Sequence, residues 1–133
     1  MASSSTPRIR TYKAGGAINP LSYVKLSTSS PGSTKNPVVV QCGAGDRPIG
    51  IAQNDSAAAS GDEVEVALPG GGARLTIKGT VASGNFIKSD ANGYGIATTT
   101  AGDAYGAQAV EDGVTTDILG VEVIIGEKYN ATA

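Results

Sequence analysis

Short runs in which apolar and polar residues alternate recur along this chain, and they constrain its fold more than any other feature. In the clearest run, Glu63–Leu68, we expect Val64, Val66 and Leu68 to face inward and the residues between them, Ala67 included, to face outward. Glycine, proline and asparagine separate such runs, and no window shows sustained helical periodicity. The pattern predicts an all-β protein with very little helix, built as a small β-barrel or β-sandwich.

The same pattern predicts nine strands joined by turns. The longest connection is a Ser/Thr/Pro/Gly loop from Ser27 to Asn36, and Pro69–Gly72 forms another loop. At 133 residues the chain is predicted to be a single β domain over residues 15–133. The predicted strands are Ser22–Leu26, Pro37–Cys42, Pro48–Gln53, Glu63–Leu68, Arg74–Lys78, Asn85–Lys88, Gly95–Thr98, Ala104–Glu111 and Asp117–Ile125.

A weak internal repeat runs through these strands. Tyr23-Val24-Lys25 matches Phe86-Ile87-Lys88, and both are followed by a glycine-containing strand and then by an alternating strand. Two interpretations stay open here: a duplicated β unit, or the chance similarity expected of any β-rich chain of this composition.

The first fourteen residues differ from the rest. No acidic residue precedes Asp46, whereas five basic residues do. We predict a flexible N-terminal arm over residues 1–14 that contacts another protein. In an extended segment, alternating residues can add to the edge of a partner's sheet. The candidate contact residues are Arg8, Ile9, Arg10, Thr11, Tyr12 and Lys13; the alternative is an unstructured tail.

Catalysis and metal binding are not expected. The chain has no histidine, which excludes serine–histidine and cysteine–histidine catalysis. Its single cysteine, Cys42, cannot form an intrachain disulfide, and we expect a buried structural thiol. The glycines of Pro69–Gly72 lack the Lys-Ser/Thr pair of a phosphate-binding loop. Asp90 and Asn92 resemble only the start of a calcium loop, and an Asx-rich hairpin with a type I′ turn at Asn92-Gly93 is the better interpretation. No metal and no cofactor are predicted.

Charge and hydropathy bear on partners and location. Three basic residues in the arm and a sequence pI of about 5.0 disfavour nucleic acid as a partner. No signal peptide or transmembrane run is apparent, so we expect synthesis in a cytoplasm, no export by that route and no membrane partner.

Two segments of the chain resemble the capsid decoration, or cement, proteins of tailed bacteriophages. They are Asp46-Arg-Pro-Ile-Gly-Ile-Ala52 and Ala58-Ala-Ser-Gly-Asp-Glu-Val-Glu-Val-Ala-Leu-Pro-Gly70. Ala14–Ile18 and Tyr23–Leu26 also fit, so the resemblance covers most of residues 14–125.

The resemblance implies a β-tulip-like protein, often a homotrimer, on the outer surface of an expanded head. There it would clamp neighbouring major capsid subunits, which are its implied partner, with the arm pairing with capsid strands. Two other classes remain open. One is a different virion β module, such as a head fibre base or a tail-associated protein. The other is a small glycan-binding or adhesin-like domain, which the dispersed aromatic residues count against. An enzyme using carboxylates alone is a distant third.

Overall fold

The computed structural model describes residues 8–27, 37–98 and 102–127, and these residues form ten strands without a helix. The strands are β1 (Ile9–Ala14), β2 (Tyr23–Leu26), β3 (Val38–Gln41), β4 (Gly50–Ala52), β5 (Glu63–Ala67), β6 (Gly72–Thr76), β7 (Phe86–Ser89), β8 (Gly95–Ala97), β9 (Ala104–Ala109) and β10 (Ile118–Glu127). The predicted all-β class is confirmed.

The first five strands form a closed barrel in the order β1-β3-β2-β4-β5. β1 closes it, since it pairs antiparallel with β5 along its whole length and parallel with β3 at Lys13 and Ala14. One edge of β1 is therefore paired with β5 from Ile9 to Lys13, and the opposite edge is paired with β3 only at Lys13 and Ala14.

The last five strands form a second sheet in the order β6-β10-β9-β7-β8. Its two outer strands approach each other where a single parallel bridge joins Ile77 to Gly95. With that bridge, the strands follow the same circular order as those of the first barrel. We call the two halves the first unit and the second unit.

The hydrogen-bond register shows that the second unit repeats the first. Ile9 pairs with Ala67 at the start of β1, and Gly72 pairs with Glu122 at the start of β6. The isolated bridges repeat as well, Ile18 with Ala58 and Val81 with Gly113. Residues with a positive φ repeat too: Leu21 is equivalent to Gly84, and Gly61 is equivalent to Thr116. The duplication interpretation of the sequence repeat is confirmed, with Tyr23 equivalent to Phe86.

All nine predicted strands overlap observed ones, with ends that coincide or differ by one or two residues. The predicted loop from Ser27 to Asn36 lies outside the described residues except for Ser27. The hairpin after β7 is present, but its turn type was wrong, because only Gly93 of the Asn92-Gly93 pair has a positive φ.

Two apolar clusters form the core, and the larger one crosses between the units. Tyr23, Ile51 and Ala67 belong to the first barrel by sequence, yet they pack with Leu75, Ile77 and Ile87 of the second unit. The prediction that Ala67 faces outward was wrong because the second unit covers that face. The chain therefore folds as one body whose halves share a core.

Polar contacts also join the units. The Gln53 side chain donates to the carbonyl of Arg74 at 2.9 Å and accepts from its N–H at 3.1 Å. It thus occupies the edge of β6 as a neighbouring strand would. The buried Tyr23 hydroxyl donates to the Ile87 carbonyl at 2.7 Å. Burial raises the pKa of Tyr23 well above its ordinary value, so the hydroxyl stays protonated as a donor.

Candidate interaction surfaces

The predicted contact residues Arg8–Lys13 lie on or beside β1, inside the first barrel. The flexible-arm prediction for residues 1–14 therefore differs from the structure over Ile9–Ala14, and residues 1–7 lie outside the described part of the chain. The alternation in β1 does pair with a sheet edge, but that edge is β5 of the same chain. The edge of β1 that pairs with β5 is therefore not available to a partner's sheet while the barrel is closed.

The six predicted residues divide according to their side chains. Tyr12 is 8% exposed and packs in the core of the first barrel, whereas Lys13 is half-buried. Arg8, Ile9, Arg10 and Thr11 are exposed, with Ile9 at 42%. The exposed set therefore gathers at the N-terminal end of β1.

This end of β1 combines two cations with one aliphatic side chain. Arg10 lies over the Tyr12 ring, with its guanidinium carbon 5.8 Å from the ring centroid. Neither Arg8 nor Arg10 forms an ion pair with a carboxylate in the described part of the chain. We call Arg8, Ile9 and Arg10 the cationic end.

A second surface, which the sequence patterns did not single out, lies on the second unit. Val110, Val114 and Ile118 are 57%, 57% and 52% exposed, which is high for large aliphatic side chains. Beside Val114 runs a shallow groove of about 410 Å³, whose walls come from Thr80–Ala82 and from Asp112–Val114 with Asp117. We call these exposed aliphatic residues and the groove the apolar groove surface.

Three carboxylates border the apolar groove surface. Glu111 accepts the N–H of Gly120 at 2.8 Å, Asp112 that of Ser83 at 2.8 Å, and Asp117 that of Val114 at 2.9 Å. These bonds fix the carboxylates in place, and no lysine or arginine among residues 8–27, 37–98 and 102–127 pairs with them. The groove is therefore both apolar and negative.

The first unit supplies an internal comparison. Val114 is equivalent to Ala59, because each donates its N–H to the aspartate three residues later, at 2.9 Å and 2.8 Å. Ile118 is equivalent to Glu63, because each sits at the same register of the strand beside β6 or β1. The exposed aliphatic side chains therefore belong to the second unit and do not follow from the repeat itself.

The cysteine and aspartate residues considered above as candidates for chemistry have structural roles. Cys42 is buried, and burial raises the pKa of its thiol to about 12, as the predicted structural thiol would show. Asp90 accepts the N–H groups of Asn92 at 2.8 Å and Tyr94 at 2.9 Å, which confirms the Asx-rich hairpin. The described residues contain no group of three or more His, Cys, Asp or Glu side chains placed to hold a metal ion.

Two ion pairs occupy equivalent places in the two units. Lys25 lies 2.6 Å from Asp46, and Lys88 lies 3.0 Å from Asp103. The Lys25 ammonium lowers the pKa of Asp46, and the hydrogen bond from Gly43 lowers it further.

The described part of the chain contains no helix long and apolar enough to span a membrane.

Comparison with known proteins gives a structural neighbour that covers nearly the whole chain. No family model matches the chain, and no curated protein matches it. Among solved structures, the N base of the head fibre protein gp8.5 of bacteriophage phi29 aligns with a TM-score of 0.68. The alignment covers 90% of this chain and 95% of that one, at 12% sequence identity. The two proteins therefore share a fold over nearly their whole lengths.

Proposed function

We propose that this chain is a structural protein of a bacteriophage virion, bound to the outer surface of the expanded head. There it clamps neighbouring major capsid subunits, as a homotrimer, and stabilises the shell against the pressure of packaged DNA. The observation that carries the proposal is the fold shared with a head fibre base over 90% of the chain. The resemblance of residues 46–70 to decoration proteins supports the same setting independently.

The role we propose is structural and needs no catalysis or cofactor. The only thiol is buried, and the carboxylates of Asp46, Asp90 and Asp117 bind lysine or backbone N–H groups. The net charge of −2 argues against nucleic acid as the partner.

We place the capsid contact in the part of the predicted arm that precedes the barrel, residues 1–7. The edge of β1 that pairs with β5 is not available to capsid strands, and β3 covers the opposite edge at Lys13 and Ala14. Three copies present three such segments at once, and multivalency converts a modest affinity for each into firm attachment. Binding to the assembled shell alone stabilises that state by mass action.

A head fibre base is the second candidate function, and the structural neighbour favours it specifically. A fibre base attaches a projecting fibre at selected sites, whereas a clamp occupies every equivalent junction between capsid subunits. The two differ in copy number and in their effect on the shell.

Co-sedimentation with expanded, undecorated heads of the source phage tests the proposal. We expect saturable binding in multiples of three copies, and we expect decorated, DNA-filled heads to release their DNA at a higher temperature than undecorated heads. Binding at few sites without a change in heat resistance would replace the clamp with the fibre base. Absence of binding at micromolar concentration would overturn both and favour the tail or glycan alternatives.

A further inference from the structure

We propose that copies of this chain associate head to tail, with the cationic end of one copy docked on the apolar groove surface of the next. This deepens the proposed function, because it names the contact that would hold the homotrimer together. It does not depend on which virion protein lies beneath.

The receiving surface calls for an aliphatic and cationic partner. Val114, in the wall of the groove, and Ile118, which follows the groove residue Asp117, remain more than half exposed. Covering large aliphatic side chains removes apolar area from water. Glu111, Asp112 and Asp117 add negative charge around this apolar area, and their bonds to backbone N–H groups leave that charge unneutralised.

The cationic end has matching chemistry. Ile9, 42% exposed, lies on one face of the strand end, and Arg8 and Arg10 lie on the other. Among the basic residues in the described part of the chain, Lys25, Arg47, Arg74 and Lys88 already pair with carboxylates. The arginines at this end, Lys13 and Lys78 form no such pair, and the two arginines are the ones that lie next to each other on one face of a strand end.

A second copy is therefore the occupant whose chemistry the chain itself provides. The two surfaces differ, so the contact is heterologous, and repeating it generates a ring when the rotation closes. The apolar area is small compared with the roughly 800 Å² per partner of a standard interface, so we expect micromolar and salt-sensitive association.

A matched pair of substitutions tests this contact on the full-length chain. Val114→Lys places a cation in the groove, opposite the arginines of the next copy. Ala59→Lys places the same cation at the equivalent turn of the first unit. Both positions are exposed and have the same local hydrogen bond, so the two variants should fold alike. Circular dichroism and thermal melts check this.

Sedimentation equilibrium measures the mass of each variant. We expect the wild type and Ala59→Lys to self-associate, and Val114→Lys to weaken association at least about tenfold. Adding Arg10→Glu to Val114→Lys places a carboxylate opposite the introduced ammonium and should restore association, whereas Arg10→Glu alone should weaken it. Recovery in the double variant distinguishes a direct contact from two unrelated losses.

Four outcomes would overturn the inference. A wild type that stays monomeric at about 100 µM, equal loss in Val114→Lys and Ala59→Lys, no loss in either, or no recovery in the double variant each contradict the contact. A wild type that binds heads as a monomer would refute this inference and leave the head-binding role standing. A ring that forms normally yet binds no heads would refute the head-binding role and leave the contact between copies standing.

Discussion

Tyr12 lies directly opposite Val64 where β1 pairs with β5, and both side chains are buried in the first barrel. The N-terminal strand is therefore part of the core. Because of this pairing, deletion of residues 1–7 and deletion of residues 1–14 should have different effects on stability. Removing residues 1–7 leaves every described pairing intact, whereas removing residues 1–14 takes away the strand that closes the barrel.

We expect the chain without residues 1–7 to melt within a few degrees of the full-length chain, and the chain without residues 1–14 to be unfolded or aggregated. Tyr12→Ala should lower the free energy of unfolding by about 3 kcal/mol, because it empties a buried aromatic site. Thr11→Ala, at the neighbouring exposed position, should change it by less than about 0.5 kcal/mol. Urea unfolding measures both, and equal effects would contradict a structural role for β1.

Gly50 tests the close approach of β4 to β5. A Cβ atom at this position would lie 2.2 Å from the carbonyl oxygen of Ala67, and a backbone oxygen in a paired strand cannot move aside. We expect Gly50→Ala to destabilise the fold by roughly 1–3 kcal/mol or more. Gly16→Ala is the control, since nothing lies within 4 Å of its Cβ position. Similar melting temperatures for the two variants would refute this close packing.

The Lys25–Asp46 ion pair predicts a pH dependence of stability. The pKa of Asp46 is lowered in the folded state, so its contribution is present above the unfolded value of about 4 and is lost as the pH falls. The pKa of Lys25 is raised, so its contribution is lost only as the pH rises past about 10. The window of full stabilisation therefore lies between these values.

We expect Asp46→Asn to cost about 0.2–1 kcal/mol at pH 7, because both side chains are about a third exposed and solvent screens the pair. Near pH 2 to 3, the difference between this variant and the wild type should shrink towards zero. Asp55→Asn is the control at pH 7: this side chain is 92% exposed, so solvent screens its pair with Arg74 more strongly and the cost should be smaller. Urea midpoints across pH provide the measurement, and a constant difference would exclude the ion pair as its source.

Cys42 should be inert in the folded protein. Its thiol is 1% exposed, and with a pKa of about 12 it carries almost no thiolate at pH 8. We expect no reaction with a thiol-specific disulfide reagent in native buffer and one equivalent in strong denaturant. Rapid labelling of the native protein would show that the cluster around Cys42 opens readily.

The local patterns predicted nine of the ten strands, because each of those runs alternates and ends at glycine, proline or a polar turn. β1 was assigned to a flexible arm because residues 8–13 alternate and carry three basic residues and no acid, the composition of a contact segment. The partner edge that it needed, β5, lies about fifty residues further along the chain, and no local pattern reveals such a pairing. For the same reason, the burial of Ala67 beneath the second unit was not predicted.

The candidate surfaces were predicted only in part. Arg8, Ile9 and Arg10 were predicted to be contact residues because of the charge and the alternation of their segment, and all three side chains are exposed. Val114 and Ile118 did not, because an aliphatic residue in a β-rich sequence is ordinarily assigned to the core. Only the comparison with Ala59 and Glu63, which requires the register of both units, shows that these side chains are unusual.

The position of β1 also affects how the chain is made. β1 leaves the ribosome before β5, which ends at Ala67, and the two strands can pair only after β5 is made. At roughly 5–20 residues per second, that interval lasts several seconds. During it, the edge of β1 that will pair with β5 is available to other nascent chains on the same polysome. Slow synthesis lengthens this interval and would thus favour strand exchange between neighbouring copies. Rapid closure of the first barrel shortens the interval and reduces strand exchange.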